Sequence, residues 1–231
     1  NKALKVSQEA GVGEDIASSI RALAGYYQEV NNPQKAIEYY LQAADHYQKM
    51  EDTAQMGQTC TRLGRIYRNI SSYDKALKYY LDAIKHLKQA NDRDNLADAY
   101  NETGIIHMTL DDYDKALEYY NKAIDLFEEQ GKEDQIAMIY NNIGIIYDDK
   151  NQNEKALEYY QKSLETDKKS GDYRGMASSL NNIGLIYFEL EQYPKALEYL
   201  NQSLDHAREL DDKHKIANTH NNIGEVLTHT G

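Results

Sequence analysis

The most constraining feature of the sequence is a tetrapeptide pattern, Lys-Ala-Leu/Ile-Glu/Lys, that returns every forty residues. It occurs five times, beginning at Lys35, Lys75, Lys115, Lys155 and Lys195. A fixed period of 20–50 residues is typical of repeat architectures, in which each unit packs only against its neighbours. The sequence therefore predicts a solenoid and directs the search for function to an extended surface.

Each forty-residue unit contains two segments in which apolar residues recur with helical spacing. In the second unit these segments cover residues 53–70 and 73–90. Apolar residues three and four positions apart indicate amphipathic helices. Ser71 and Ser72 lie between the two segments and can end one helix and cap the next. The sequence therefore predicts an all-α fold made of antiparallel helix pairs.

Small residues stand at the same position of successive units. On the first helix of each pair they are Gly64, Gly104, Gly144, Gly184 and Gly224. On the second helix they are Ala36, Ala76, Ala116, Ala156 and Ala196. A glycine inside a helix costs about 1 kcal/mol relative to alanine, so its recurrence needs a packing reason. We expect the paired helices to approach closely there, beside Tyr40, Tyr80, Tyr120 and Tyr160.

These small and aromatic residues recur in the order of the tetratricopeptide repeat (TPR) signature. In the second unit the matching residues are Leu63, Gly64, Tyr67, Ala76, Tyr80 and Ala83. The resemblance covers essentially the whole chain, although the family's usual period is 34 residues. Three features depart from it, because Ala24 replaces the glycine, Leu200 replaces the aromatic residue, and the usual proline that ends the repeat is absent. The longer period resembles the repeats of kinesin light chains and of bacterial sensor or regulator proteins.

The resemblance implies an α-solenoid, a right-handed superhelix in which the first helices line the concave face. We expect one TPR-like solenoid over residues 1–231. Its five complete repeats cover about 13–50, 51–90, 91–130, 131–170 and 171–210, with partial repeats at 1–12 and 211–231. The last helix lacks a partner in this register, so we expect Ile216, Ile223, Val226 and Leu227 to face nothing within the chain. On this basis the chain is expected to be part of a longer protein.

The resemblance also implies which residues of the first helices face a concave peptide-binding groove. A basic zone consists of Arg21, Arg62, Arg65 and Arg68. An apolar zone consists of Ile105, Met108, Ile145, Leu185 and Phe188. An asparagine zone consists of Asn101, Asn141, Asn142, Asn181, Asn182, Asn221 and Asn222. The lysines of the tetrapeptide begin the second helices on the outer side, where we expect them to be solvated.

Two interpretations are open for the arginines and two for the asparagines. Guanidinium groups match carboxylates, so the arginines can anchor an acidic group of a partner, or they can pair with Glu29, Asp98 or Glu102. Asparagine side chains can bond the backbone of an extended peptide, or they can bond neighbouring helices. For Asn141, Asn181 and Asn221, the first residue of each pair, we expect exposure to the groove.

Composition and missing motifs exclude several classes of function. The formal net charge of −12 argues against nucleic acid as a partner, since phosphate binding needs clustered basic residues. No apolar run approaches the roughly 20 residues that span a bilayer. Glycine-rich phosphate loops, His-Glu-x-x-His and Cys-x-x-Cys are all missing. We therefore expect no catalytic residues, cofactor or metal, and no membrane insertion of this segment.

The leading hypothesis is a protein–protein interaction scaffold that binds a peptide segment of a partner in the concave groove. Alternatives are a sensory or regulatory domain of a larger, bacterial-type signalling protein, and a scaffold that associates with itself through its repeat ends. The partner's identity and the parent protein stay open. The single cysteine, Cys60, excludes an internal disulfide framework and leaves the redox compartment open. The compartment is therefore unknown, with a soluble cytoplasmic segment slightly favoured.

Overall fold

The structure, a computed structural model, describes the backbone of residues 2–230 and the side chains of residues 16–230. Over these residues the chain forms eleven α-helices and no strand. The helices are α1 (Lys2–Glu29), α2 (Pro33–Lys49), α3 (Thr53–Asn69), α4 (Tyr73–Ala90), α5 (Arg93–Thr109), α6 (Tyr113–Gln130), α7 (Glu133–Asp149), α8 (Asn153–Ser170), α9 (Tyr173–Glu189), α10 (Tyr193–Glu209) and α11 (Lys213–Thr230). The predicted all-α fold of helix pairs is confirmed.

The chain divides into two compact units, Asn1–Leu126 and Phe127–Gly231, with the division inside α6. In the first unit, α1 packs on α2 and α3 packs on α4. In the second unit, α7 packs on α8 and α9 packs on α10. Alternate helices are also in contact, α3 with α5 and α9 with both α7 and α11. The first helices of successive repeats are therefore neighbours within each unit.

The turns between helices share one backbone conformation, which recurs every twenty residues. One residue in each turn has a positive φ of between 49° and 75°. These residues are Asn31, Glu51, Ser71, Asn91, Asp111, Gly131, Asn151, Gly171, Glu191 and Asp211. The left-handed conformation ends a helix and turns the chain. The prediction for Ser71 is confirmed, while Ser72 stands at the N-cap of α4 without a side-chain capping bond.

Close packing of paired helices requires the recurring glycine in both units. A Cβ atom added at Gly64 would lie 2.5 Å from the Tyr80 ring, and one at Gly144 would lie 2.5 Å from Tyr160. Both tyrosines are buried. The recurring glycine therefore leaves space for the aromatic ring of the paired helix, as predicted.

The lysine of the tetrapeptide has a partner that the sequence did not reveal. The rings of Tyr67 and Tyr79 stack with centroids 5.3 Å apart, and the Lys75 Nζ lies 5.3 Å from the Tyr67 ring. Lys35, Lys155 and Lys195 lie over tyrosine rings in the same way. These lysines are exposed, as expected, but each also makes a cation–π contact that holds the first helix to the second.

The last helix is covered on one side within the chain. Val226 is buried in a cluster with Ala196 and Leu200 of α10, and Ile223 packs against the same cluster. The expectation that these two residues face nothing is wrong, because the preceding helix α10 supplies the contact. Leu227 is 52% exposed. At the other end, α1 continues through residues 12 and 13, so the repeat boundary predicted there lies within a helix.

Candidate peptide-binding surface

Two of the four predicted arginines are engaged inside the first unit. Arg65 Nε donates to Glu102 Oε1 at 2.7 Å, and Arg68 Nη1 donates to Glu102 Oε2 at 2.6 Å. The Tyr80 hydroxyl donates to the same Oε2 at 3.1 Å. Burial, and then the Glu102 charge, raise the pKa of Tyr80. Of the two open interpretations, pairing within the protein applies to Arg65 and Arg68.

The other two arginines have no carboxylate partner among the described residues. Arg21 Nη1 donates to the side-chain oxygens of Gln55 and, at 3.4 Å, of Gln58. Its guanidinium carbon also lies 5.9 Å from the centre of the Tyr47 ring. Arg62 is exposed, and no ion pair or hydrogen bond joins it to the described part of the chain. Arg21 is therefore bonded to neutral side chains, and Arg62 has neither a hydrogen bond nor an ion pair in the described part of the chain.

Both arginines line a cavity of about 440 Å³ in the first unit. Side chains from α1, α2, α3 and α5 form its walls, and they include Arg21, Glu29, Tyr40, Arg62, Arg65 and Asp98. The Tyr40 hydroxyl donates to Gln28 Oε1 at 3.3 Å. Burial raises the pKa of Tyr40, while the charges of Arg62 and Arg21 act in the opposite direction. The cavity therefore combines guanidinium groups with a hydroxyl donor.

The apolar residues of the predicted groove are half-buried in both units. Ile105 and Met108 belong to the first unit, where Met108 Sδ accepts a hydrogen bond from the Tyr120 hydroxyl at 3.7 Å. In the second unit, Ile145 packs at the edge of a core cluster. The Phe188 ring lies 5.2 Å from the His229 ring. Leu185 is half-buried as well.

The predicted asparagines of the second unit form a ladder between first helices. Asn182 Nδ2 donates to Asn141 Oδ1 at 3.0 Å, and Asn222 Nδ2 donates to Asn181 Oδ1 at 2.9 Å. Bonding between neighbouring helices thus applies to Asn182 and Asn222. Asn141 and Asn181 are half-buried acceptors, and Asn221 is exposed. The exposure of these three residues to a groove stays a prediction.

Asn101 and Asn142, like Asn221, stand outside the ladder bonds. Asn142 is half-buried on α7. In the first unit, Asn101 is half-buried and its Oδ1 is buried without a hydrogen-bond partner among the described residues. The asparagine zone is therefore partly structural and partly still available for hydrogen bonding.

Comparison with protein families agrees with this repeat geometry. A model of the tetratricopeptide repeat matches residues 55–129, 95–169 and 175–231. The chain belongs to the tetratricopeptide repeat family. A model of the soluble NSF attachment protein, SNAP, also matches residues 1–91. A search of curated proteins gives no significant match.

Several solved structures are similar to this TPR chain. BtubC (BKLC) from P. vanneervenii is 20% identical with a TM-score of 0.76, and the match covers 90% of each chain. A second similar structure is that of a Signal Transduction ATPase with Numerous Domains (STAND) protein from Pyrococcus horikoshii, which has a tetratricopeptide repeat sensor. It is 19% identical with a TM-score of 0.80. That match covers 91% of this chain but 32% of the other.

Aspartyl phosphate phosphatase F from Bacillus subtilis is 16% identical with a TM-score of 0.80. The match covers 94% of this chain and 57% of the phosphatase. At these identities the structures establish the TPR solenoid fold. This chain spans about a third of the STAND protein and just over half of the phosphatase.

Sequence reasoning missed a lysine on the TPR surface of the second unit. Lys215 Nζ, on α11, donates to Ser178 Oγ and to the Arg174 carbonyl oxygen, the latter at 3.2 Å. It lines a cavity of about 170 Å³ with Asn181 and Asn182, and burial lowers its pKa. The sequence did distinguish this lysine, because the equivalent positions of four earlier repeats hold uncharged residues. They are Gln55, Asn95, Gln135 and Gly175.

A second missed residue is a carboxyl group in the core of the second unit. Asp167 is 2% exposed, at the repeat position that elsewhere holds Tyr47, Leu87, Phe127 and Ala207. A Cβ atom at Gly175 would lie 2.4 Å from its Oδ1, so the glycine makes room for the carboxyl group. Burial, reinforced by Asp172 and Asp134, raises the pKa of Asp167 to about 7.

In the part of the chain that the structure describes, histidine, cysteine and acidic side chains form no group of three that could hold a metal ion. None of the helices there has the length and apolarity needed to cross a bilayer.

Proposed function

We propose that this TPR chain is a protein–protein interaction scaffold that holds a peptide segment of a partner on the first helices of its repeats. The observation that carries the proposal is the cavity of about 440 Å³ on α1, α3 and α5. It contains Arg62, an exposed arginine without a hydrogen bond or ion pair to any described residue. An acidic group of the partner is the complementary anchor.

The asparagine ladder supports the same proposal in the second unit. In its ladder bond Asn141 uses Oδ1 as acceptor and Asn182 uses Nδ2 as donor. An asparagine side chain has two donors and two acceptor lone pairs, so hydrogen-bonding capacity remains at each position. Regularly spaced amides of this kind suit the backbone of an extended segment, whose N–H and C=O groups need partners.

A selection experiment tests the proposal directly. Phage displaying random 12-residue peptides are panned on the immobilised chain, on a double variant, Arg62→Ser with Asn221→Ala, and on a control. Both substituted residues are exposed on first helices, whereas the control, Gln161→Ala with Gln202→Ala, alters exposed residues of second helices. We expect peptides enriched by the unsubstituted chain to bind the control equally and the double variant at least tenfold more weakly. Absence of any enriched peptide on the unsubstituted chain would contradict the proposal.

A sensory role within a larger signalling protein is the second candidate function. The observation that favours it is the similarity to the STAND protein, which carries a tetratricopeptide repeat sensor and is about three times as long as the match. The flanking coding sequence discriminates the two candidates. An output domain, such as a kinase or a DNA-binding domain, supports the sensory role, and the lack of any such domain counts against it.

Self-association through repeat ends stays a prediction. Ile16 and Leu23 are exposed apolar residues seven apart on α1, and the exposed Val30 follows the end of that helix at the same spacing, which gives this segment an apolar stripe. Light scattering over a range of protein concentrations measures the oligomeric state. A monomer at all concentrations would exclude this alternative.

A further inference from the structure

Lys215 is a half-buried lysine whose side-chain nitrogen bonds only neutral groups. This nitrogen donates to Ser178 Oγ and to the Arg174 carbonyl oxygen, both on α9. The Ser178 hydroxyl donates to the same carbonyl oxygen at 3.0 Å, so its lone pairs remain for the lysine. Within the described part of the chain, no carboxylate forms an ion pair with Lys215. The cost of burying its charge is therefore not offset by a counter-ion.

The hydrogen bonds of Lys215 fit a neutral amine better than an ammonium group. An ammonium has three N–H donors, and the two acceptors on α9 account for two of them. In a neutral amine the third position is a lone pair, which needs no acceptor. Burial lowers the pKa of this amine, and the charge of Arg174 acts in the same direction. The opposing carboxylates are Asp212, Asp172 and Asp167. At neutral pH a larger fraction of this amine is therefore nucleophilic than in an exposed lysine.

A cavity of about 170 Å³ lies beside this amine and is lined by side-chain amides. Asn181 uses Oδ1 in the ladder, so both hydrogens of its Nδ2 remain. Asn182 gives one Nδ2 hydrogen to Asn141 and keeps the other. The volume is many times the roughly 10–15 Å³ that a cavity needs to hold one water molecule. A two-carbon acyl group therefore has room here, with amide donors for its carbonyl oxygen.

We infer that Lys215 is a site of acetylation by a small activated acyl donor, either an acyl phosphate or a thioester. The lysine nitrogen attacks the carbonyl carbon of the donor with its lone pair, and a C–N bond forms. The bond from that carbon to the phosphate oxygen or to the thiol sulfur breaks, and the leaving group takes the electron pair. The nitrogen releases one proton to water, so the product is a neutral amide. Its N–H keeps one bond to α9, and its carbonyl oxygen accepts from the asparagines of the cavity.

An uncharged side chain at this position agrees with the other repeats. The equivalent residues Gln55 and Gln135 carry neutral amides. Acetylation removes the charge of Lys215 and gives it an amide as well. Because the charge lies beside Asn181 and Asn182, the modification changes the electrostatics of the asparagine ladder. The site itself does not depend on the proposed peptide-binding function.

The rate of acetylation in the folded chain tests the inference. The chain is incubated at pH 7 with acetyl phosphate and, in a separate arm, with acetyl-coenzyme A. Lys213 is the matched control, because it is exposed and lies two residues earlier on α11. Digestion after glutamate releases residues 210–225, which contain both lysines and no other. Fragment-ion mass spectrometry then measures the acetylation of each lysine against time.

We expect Lys215 to be acetylated at least about threefold faster than Lys213. Each unit by which the pKa of an amine falls gives up to about a tenfold larger neutral fraction at pH 7, and partial burial offsets some of this gain by limiting access. In concentrated urea the two lysines should react at equal rates, because the unfolded chain exposes both. The urea arm thus shows whether the fold produces the difference.

The two donors distinguish the sources of the acyl group, and a faster reaction of Lys215 with either one supports the site. Acetylation of Lys215 that is equal to or slower than that of Lys213 with both donors would overturn the inference. An advantage of Lys215 that persists in urea would also overturn it, since the local sequence would then be the cause. A chain that binds no peptide but acetylates Lys215 faster would contradict the proposed function alone.

Discussion

Among the residues whose side chains the structure describes, each unit has one buried carboxyl group, and the two have opposite surroundings. In the first unit, Glu102 receives hydrogen bonds from Arg65 and Arg68, so its charge is compensated. In the second unit, Asp167 is surrounded by serine hydroxyls and by the like charges of Asp172 and Asp134. The repeat scaffold thus tolerates a buried carboxyl group in two ways, as an ion pair or as an acid that burial keeps neutral.

The same contrast extends to the candidate binding surfaces. Arg62, Glu102, Asn142, Asn182 and Asn222 all occupy one position of the repeat. In the first unit this position carries charge, and in the second unit it carries amides, of which Asn182 and Asn222 donate the ladder bonds. The backbone is the same in both, so the chemistry of each surface depends on the residue at this position. We propose an acidic anchor for the first unit and peptide backbone as the ligand of the second.

The largest expected effect concerns the pH dependence of the second unit. The pKa of Asp167 is raised from 3.8 to about 7. Between these two pH values the folded state therefore holds a proton on Asp167 that the unfolded state has lost. Stability therefore falls as pH rises from about 4 to about 7 and changes no further above that range. Three pKa units correspond to about 4 kcal/mol, and roughly 2–3 kcal/mol of this is lost between pH 5 and pH 8.

Asp167→Asn should remove this pH dependence. Urea unfolding at pH 5 and at pH 8 gives the change in unfolding free energy with pH for each protein. This change is then compared between the variant and the unsubstituted chain. Asp205→Asn is the matched control, because Asp205 is exposed on α10. Lys215 is the cation facing Asp167 from α11, and its own pKa is lowered by burial. Equal pH dependence in Asp167→Asn and the unsubstituted chain would contradict the assignment.

The second prediction concerns Glu102, the buried carboxylate whose charge is compensated by arginines. Glu102→Gln leaves Arg65 and Arg68 without their carboxylate while keeping the side-chain volume. Because both arginines are partly exposed, we expect a loss of about 2–3 kcal/mol, at the lower end of the range for breaking a buried pair. Urea unfolding at pH 7 measures this loss. Glu118→Gln removes an exposed pair with Lys122 and should leave the unfolding free energy nearly unchanged. An equal effect of both substitutions would refute the difference.

The third prediction concerns the asparagine ladder. Asn182→Ala removes the donor to Asn141 Oδ1, and we expect a loss of about 1 kcal/mol in unfolding free energy. Asn201→Ala is the control, since Asn201 is exposed and bonds only the Leu197 carbonyl oxygen of its own helix. If the two alanine variants were equally stable, the ladder would have no structural role.

Much of the fold followed from local properties of the sequence. The apolar period, the turn residues and the Gly64–Tyr80 pairing each depend on residues close in sequence or on the repeat register, and all are confirmed. The prediction for Val226 was wrong because it considered only the missing helix that would follow α11. The preceding helix α10 buries Val226 instead. The cation–π contact of Lys75 was overlooked because an exposed lysine gives no apolar signal.

The candidate surface was less accessible to sequence reasoning. The sequence grouped four arginines correctly on one set of helices, but their division into two pairs depends on where Glu102 lies, 37 residues from Arg65. Asp167 was detectable as a carboxyl group at an apolar repeat position, yet its protonation depends on burial in the fold. The helices could therefore be predicted from the sequence, whereas the side-chain contacts between repeats could not.

The smallest expected effect is that of Arg62 on stability. Because Arg62 is exposed and has no ion pair or hydrogen bond with the described residues, Arg62→Gln should change the unfolding free energy by less than about 0.5 kcal/mol. Urea unfolding beside the unsubstituted chain checks this value. A loss comparable to that of Glu102→Gln would place Arg62 in a structural role instead.

The most direct measurement of the central claim is the affinity of one selected peptide for the unsubstituted chain and for Arg62→Glu. Fluorescence polarisation with the labelled peptide gives both dissociation constants, and a melting curve for each protein gives its stability. The account predicts that the substitution weakens binding at least tenfold while the melting temperature stays within a few degrees. Equal affinity in two equally stable proteins would contradict the claim that the first helices of this TPR array form the binding surface.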